Sequence, residues 1–325
     1  MDAVIHVERL TKQFTAKTKE PGILGALKSI IKPEYKTVTA VDAINIDIQE
    51  GELVGFIGPN GAGKSTTLKM LTGILWPTSG TLSVLGHNPQ QERIAVAYKI
   101  GTIFGQRQQL LYHLPAIDSF NLFAKIYDVK EGDYKQRLNE LVSLFELQDI
   151  IHTPVRKLSL GERMRCEFVA ALLHRPKVLF LDEPTIGMDI IAKKNLREFI
   201  RKLNEREKTT IILTSHDLDD IEELCPRVIV INHGKILFDG PMDNIRKKLK
   251  YKILEIYLDK EPKTIPTIAN TKIIQKSPFR ITLQIDRTKV PIRKVLDAYL
   301  QKCQIADIIL EDPPIEQVIE RLYRA

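Results

Sequence analysis

Residues 58–66 constrain this chain more than any other segment. They read Gly58, Pro59, Asn60, Gly61, Ala62, Gly63, Lys64, Ser65 and Thr66, which satisfies the G-x-x-x-x-G-K-[ST] pattern of a phosphate-binding loop. The three glycines let the backbone turn tightly and approach a ligand with no Cβ in the way. Successive N–H groups can then point at phosphate oxygens. Lys64 can reach the β- and γ-phosphates, and the Ser65 hydroxyl can hold Mg²⁺. Upstream, Glu52–Ile57 reads as a buried strand; downstream, Ser65–Leu71 reads as a helix stopped by Gly73. Strand, loop and helix in that order place phosphates on a helix N-terminus.

The rest of the chain must accommodate that unit. At 325 residues it fits two domains better than one. No apolar run approaches the ~18 residues of a membrane span, and Met1–Val7 lacks the basic and apolar regions of a secretion signal. Both features predict a cytosolic protein. Cys166, Cys225 and Cys303 are far apart, with no C-x-x-C pair, and read as reduced core residues rather than a disulfide or zinc set. The net charge of +7 suits nucleotide phosphate, nucleic acid or an anionic membrane face, or simply a mildly basic protein. No nucleic-acid-binding motif accompanies it, so no nucleic-acid partner is expected.

Short apolar strands alternate with helical stretches through about residue 240. Val178–Leu181, Thr210–Thr214 and Val228–Ile231 read as buried strands, with helices over Ile191–Asn204 and Asp217–Leu224 between them. This predicts an α/β fold with a largely parallel sheet. Asn232–Lys235 reads as a hairpin turn. Residues 15–37 form a basic insertion in the opening β region. Its Ile23, Leu24, Leu27, Ile30 and Ile31 fall at helical spacing, as in an amphipathic helix facing a membrane or partner, or a surface excursion packed on its own domain. The domain boundary falls at 240, with residues 241–325 forming a small α+β accessory domain.

A second constellation closes the strand Val178–Leu181 with Asp182 and Glu183. An Asp there can orient the Mg²⁺ shell beside a nucleotide, and Glu183 can polarise an attacking water as general base. Between the two constellations lies Leu158-Ser159-Leu160-Gly161-Glu162, followed by a helix. The phosphate loop, this LSLGE segment, Val178–Thr185 and Thr214-Ser215-His216, in that order, resemble the motif set of ATP-binding cassette (ABC) ATPases over roughly residues 4–240.

The resemblance implies roles residue by residue. Residues 58–66 are the ATP phosphate cradle, Asp182 is the magnesium-side aspartate, and Glu183 is the base. His216 is the switch histidine that contacts the γ-phosphate. Gln106 is the candidate glutamine that senses Mg²⁺ and the attacking water, with Gln108 and Gln109 as competitors; Gly105 stands where the family places Gln directly after the apolar residues. Ser159 and Gly161 would bind the γ-phosphate held by an opposite subunit, and Asp189, in Gly187-Met188-Asp189, would touch that subunit. An aromatic residue would stack on adenine. Tyr35 stands at the more usual distance before Lys64, and Phe14 is the alternative on the other side of the insertion. The departures are Leu160 and Glu162, where the family has Gly and Gln, and Met188 for Leu, a volume-conserving change.

The fold implied is a P-loop NTPase (ABC ATPase) domain with an antiparallel β subdomain and a helical subdomain. The function implied is the ATP-hydrolysing subunit of an ABC-2-type exporter, working as a homodimer or with a paralogous ATPase subunit. An integral membrane permease would hold it peripherally at the cytoplasmic face of the inner membrane. Leu110–Pro115 and Ile117–Tyr127 are either the permease contact or subdomain core. The rival classes are a mechanical ATPase of translation or DNA repair, and a non-catalytic cassette that binds ATP as a structural switch.

Overall fold

The structure, a computed structural model, describes residues 3–18, 34–105, 108–215, 217–247, 251–262, 264–313 and 315–324. Alternation shapes the opening. In β1 (Ile5–Thr18), Ile5 and Val7 are buried while His6 and Glu8 are exposed, the period of a half-buried strand. β2 (Glu34–Ile48) pairs antiparallel with β1 from Ile5↔Ile48 out to Thr18↔Glu34, and its Ile44, Ile46 and Ile48 join the same core. Residues 15–18 and 34–37, expected as the ends of an insertion, are therefore the far end of this hairpin. The amphipathic helix expected inside it falls on residues 19–33, outside the described residues.

β3 (Leu53–Ile57) is buried at every position, as in a strand covered on both faces, and leads into α1 (Lys64–Leu71). β4 (Ser79–Val84) returns to β1 and completes an antiparallel sheet of order β2-β1-β4. α2 (Arg93–Ala97) and β5 (Ile100–Phe104) precede three helices, α3 (Ala116–Ile126), α4 (Glu131–Leu144) and α5 (Leu160–Leu172). β6 (Val178–Asp182), α6 (Ile190–Glu207), β7 (Thr210–Thr214), α7 (Leu218–Leu224), β8 (Arg227–Asn232) and β9 (Lys235–Pro241) follow.

The second sheet has the order β5-β6-β7-β3-β8-β9. Its pairs from β5 to β8 are parallel, so the carboxyl ends of β3, β5, β6 and β7 share one edge. In such sheets the ligand crevice lies outside that edge. The β8–β9 turn takes positive φ at His233 (47°) and Gly234 (78°), as a two-residue hairpin turn does.

The chain divides into two compact units, residues 1–239 and 240–325. The second contains α8 (Met242–Lys247), β10 (Tyr251–Leu258), β11 (Thr271–Ser277), β12 (Arg280–Asp286), α9 (Ile292–Lys302), β13 (Ile305–Glu311) and α10 (Ile315–Arg324). Its antiparallel sheet has the order β11-β12-β10-β13. Leu254 and Ile256 of β10, with Leu283 of β12, pack against Val295 and Tyr299 of α9.

Candidate functional site

The turn from β3 into α1 depends on two glycines held against neighbouring backbone. A Cβ on Gly58 would lie 2.4 Å from the Ile231 carbonyl oxygen, and one on Gly63 would lie 2.5 Å from that of Ala40. Gly63 also adopts φ +111° at the N-cap of α1, a conformation that disfavours other residues. The Gly234 N–H donates to the Ala62 carbonyl (3.0 Å), tying the loop to the β8–β9 turn. Among the described residues, no side chain caps α1. The first N–H groups of a helix have no partner within it, and Lys64, Ser65 and Thr66 at this end line a cleft.

Lys64 is only 6% exposed. Its Nζ donates to the carbonyls of Gly58 (2.6 Å) and Pro59 (3.3 Å). Burial pulls its pKa down, and the carboxylates of Glu183 and Asp182 pull it partly back. A cleft of about 340 Å³ opens above the loop, lined among others by Lys64, Ser65, Ile74, Gly105, Asp182 and Glu183.

Asp182 ends β6 at the cleft floor. Its Oδ1 accepts hydrogen bonds from the hydroxyls of Ser65 (3.1 Å) and Thr214 (2.7 Å). Glu183 follows with φ +56°, and its N–H donates to both the carbonyl and the hydroxyl oxygen of Thr214, each at 3.1 Å. Gly105 explains itself here. Its N–H donates to the Asp182 carbonyl (2.8 Å), and a Cβ would lie 2.5 Å from the Glu183 carbonyl oxygen, so the strand exit fits no larger residue. Gln106 and His216 lie outside the described residues. Gln109 turns away from the cleft: its side-chain amide donates to Thr102 O (2.6 Å) and its backbone N–H to the buried Glu167 (3.0 Å).

The LSLGE segment opens α5 differently. The Ser159 hydroxyl accepts from the Glu162 N–H (3.3 Å), and the Glu162 carboxylate accepts from the Ser159 N–H (2.8 Å), a complete capping box. These bonds, the one from the Ser159 backbone foremost, hold the Glu162 carboxyl below its ordinary pKa. Leu160 has its own reason. It packs on Gly187, where an added Cβ would lie 2.3 Å from Leu160 Cδ2, so the segment touches the Gly187–Asp189 turn of the same chain. Asp189 caps α6 through the Ala192 N–H (2.8 Å). Beyond it, Ile190 and Ile191 are 83% and 73% exposed.

Ser159, Gly161, Glu162 and Asp189 line a second groove of about 570 Å³. Among the described residues none of these four lines the phosphate cleft. The two aromatic candidates both lie on the β1–β2 hairpin, Phe14 42% and Tyr35 64% exposed. The Lys12 ammonium sits 5.2 Å from the Phe14 ring centre and donates to the Trp76 carbonyl (2.7 Å).

Sequence reasoning gave Thr214 no role of its own. Its signal was a hydroxyl residue ending an otherwise aliphatic strand beside Asp182. Among the described residues no group of three or more His, Cys, Asp or Glu side chains could hold a metal.

Comparison with known proteins gives the chain a family. Residues 41–186 match the ABC transporter family. The chain is 36% identical over 231 residues to the bacitracin transport ATP-binding protein BcrA of Bacillus licheniformis, covering 71% of this chain and 74% of that protein. It is 33% identical over 210 residues to the ABC transporter ATP-binding protein NatA of Bacillus subtilis, covering 65% and 85%. A solved structure of the ATP binding subunit of an ABC transporter superposes with a TM-score of 0.62 at 25% identity, covering 75% of this chain and 92% of that one. The chain belongs to the ABC transporter family, as an ATP-binding and ATP-hydrolysing subunit.

Proposed function

We propose that this chain energises export through a separate membrane permease, as half of a shared ATP site. The observation that carries the catalytic part is the knot at the cleft floor, where Ser65 and Thr214 both donate to Asp182 beside Lys64 and Glu183. Its donors are hard oxygens, one hydroxyl and one carboxylate. That suits Mg²⁺, which is bound by one or two protein oxygens with phosphates and water rather than by an all-protein cage. Ser65 and Asp182 would hold the ion, which when bound neutralises charge on the β- and γ-phosphates.

In this reading the uncapped amides of α1 and the Lys64 ammonium bind the phosphates. Glu183 takes a proton from the attacking water, and His216 orients that water against the γ-phosphate. Gln106, next to the tightly placed Gly105, completes the set; the engagement of Gln109 with Thr102 supports Gln106 over that competitor.

The β1–β2 register favours Phe14 as the adenine platform. Ala40 is the hairpin residue pressed on Gly63, and Phe14 pairs with Val38 while Tyr35 pairs with Lys17. At about 3.3 Å per residue, Tyr35 stands roughly 16 Å along the strand from Ala40, against about 7 Å for Val38.

The separation of Ser159, Gly161 and Asp189 from the phosphate cleft supports a second subunit, a copy of this chain or a paralogue, that supplies them across a two-fold axis. ATP then favours closure, and hydrolysis releases it. Among the described residues no helix is long and apolar enough to cross a membrane, and in this reading a separate permease provides the path. The permease contact falls on the exposed half of the segment after Gln109: Tyr112, Leu114, Leu122 and Ile126 are exposed while Leu110, Phe120 and Ala124 are core. The export reading draws on bacitracin transport by BcrA.

Fractionation tests it. Co-expressed with its permease, the chain should move to the membrane fraction, and Tyr112→Ser with Leu122→Ser should release it without loss of ATP binding. Association with ribosomes or DNA and indifference to the permease would overturn the transport reading.

A further inference from the structure

Thr214 closes β7 after the buried Ile211, Ile212 and Leu213 and is itself 0% exposed. A threonine hydroxyl has one proton to give and lone pairs to accept, and this one uses both kinds at the site. The proton goes to Asp182 Oδ1 at 2.7 Å, and a lone pair takes the Glu183 N–H at 3.1 Å. The two residues it touches are adjacent in the chain.

The last torsion of an aspartate is soft. Two hydroxyl donors on one oxygen, Ser65 at 3.1 Å and Thr214, fix which way the carboxylate faces. Glu183 sits at φ +56°, a left-handed conformation that disfavours a residue other than glycine. Its N–H is held there by the hydroxyl and the carbonyl of Thr214 together. Valine has nearly the same shape but offers neither the proton nor the lone pair.

We propose that Thr214 is a positioning residue for ATP hydrolysis: one hydroxyl orients the magnesium-side carboxylate of Asp182 and locks the backbone that carries the base Glu183. The inference rests on the roles given to Asp182 and Glu183 above. It separates from a plain strand-end cap because a cap affects stability alone, whereas orientation of Asp182 affects the metal.

The test uses the full chain. Mn²⁺ affinity is measured by electron paramagnetic resonance on the ATP-loaded Glu183→Gln chain, with and without Thr214→Val. Hydrolysis is measured against Mg²⁺ concentration for Thr214→Val, Thr214→Ser and the native chain. All values are scaled to the chains that bind ATP in the absence of metal, which removes unfolded material.

Loss of one buried hydrogen bond to a charged group should weaken Mn²⁺ binding about tenfold and raise the half-saturating Mg²⁺ about tenfold. Thr214→Ser should restore both. Native metal affinity in Thr214→Val, or Thr214→Ser as impaired as Thr214→Val, would overturn the proposal. Thr214→Ala is a second hydroxyl-free variant should valine not fold, and it must show the same shift. Asp182→Asn and Glu183→Gln serve as references: native turnover in both refutes the site itself, while their collapse beside an unaffected Thr214→Val refutes Thr214 alone.

Discussion

Two helices of this chain open on small and polar residues read as phosphate ligands, and they open in opposite ways. At α1 the N-cap is Gly63 in a left-handed conformation, with no side-chain cap. At α5 the N-cap is Ser159, and the Ser159–Glu162 box satisfies two of the terminal amides. The first terminus presents its amides and positive dipole end to an external anion. The second has met part of that need within the chain, and the Ser159 hydroxyl proton joins the Leu160 and Gly161 amides as its donors. The difference suits a site in which α1 carries the nucleotide and α5 only closes over it.

Removing Glu183 tests the chemistry on the α1 side. Glu183→Gln should lower turnover by about 10²–10⁴-fold while ATP binding persists. Steady-state hydrolysis and equilibrium binding on the same preparation would show it, and unchanged hydrolysis would refute the assigned base. Lys64→Ala comes next: losing a buried charge-assisted donor should weaken ATP binding by roughly 10–100-fold, read by calorimetry. The same change should leave α5 untouched.

Ser159→Ala should cost about 1 kcal/mol of stability as a lost cap, read by denaturant unfolding. ATP binding to the single chain should stay native and hydrolysis should fall. Equal loss of both would make the two termini one site and break the contrast. The smallest effect belongs to Glu162. Its folded pKa is depressed, so its contribution is present above the unfolded value and is lost as pH falls through the folded one. Gln accepts the same Ser159 N–H without titrating. Thermal unfolding of Glu162→Gln should therefore lack the part of the acid destabilisation that the native chain shows in the carboxylate range.

The α1 side was legible in the sequence because local backbone demands set its residues. Gly58 and Gly63 admit no Cβ, Lys64 and Ser65 follow directly at the start of α1, and Asp182 closes the aliphatic run of β6. The resemblance also supplied the residues of the α5 side, but not what the local structure does with them. That Glu162 completes a cap and Leu160 rests on Gly187 follows from packing. Gly105 looked like a departure until β5 and β6 lay side by side, where a Cβ on it would meet the Glu183 carbonyl oxygen. Thr214 stayed silent because its partners come from another strand. The hairpin reach past residues 15 and 37 was hidden by register shifts in β1 between Val7 and Gln13, which no count along the chain reveals. The proposed choice of Phe14 over Tyr35 rests on that same register.

The central claim is that one chain holds half a site. Specific ATPase activity measured against protein concentration tests it most directly, with Ser159→Arg beside the native chain. A shared site requires activity per chain to rise with concentration. It also requires Ser159→Arg to bind ATP normally, remain a single chain by light scattering and hydrolyse almost nothing. Concentration-independent hydrolysis by a single chain, unaffected by Ser159→Arg, would contradict it.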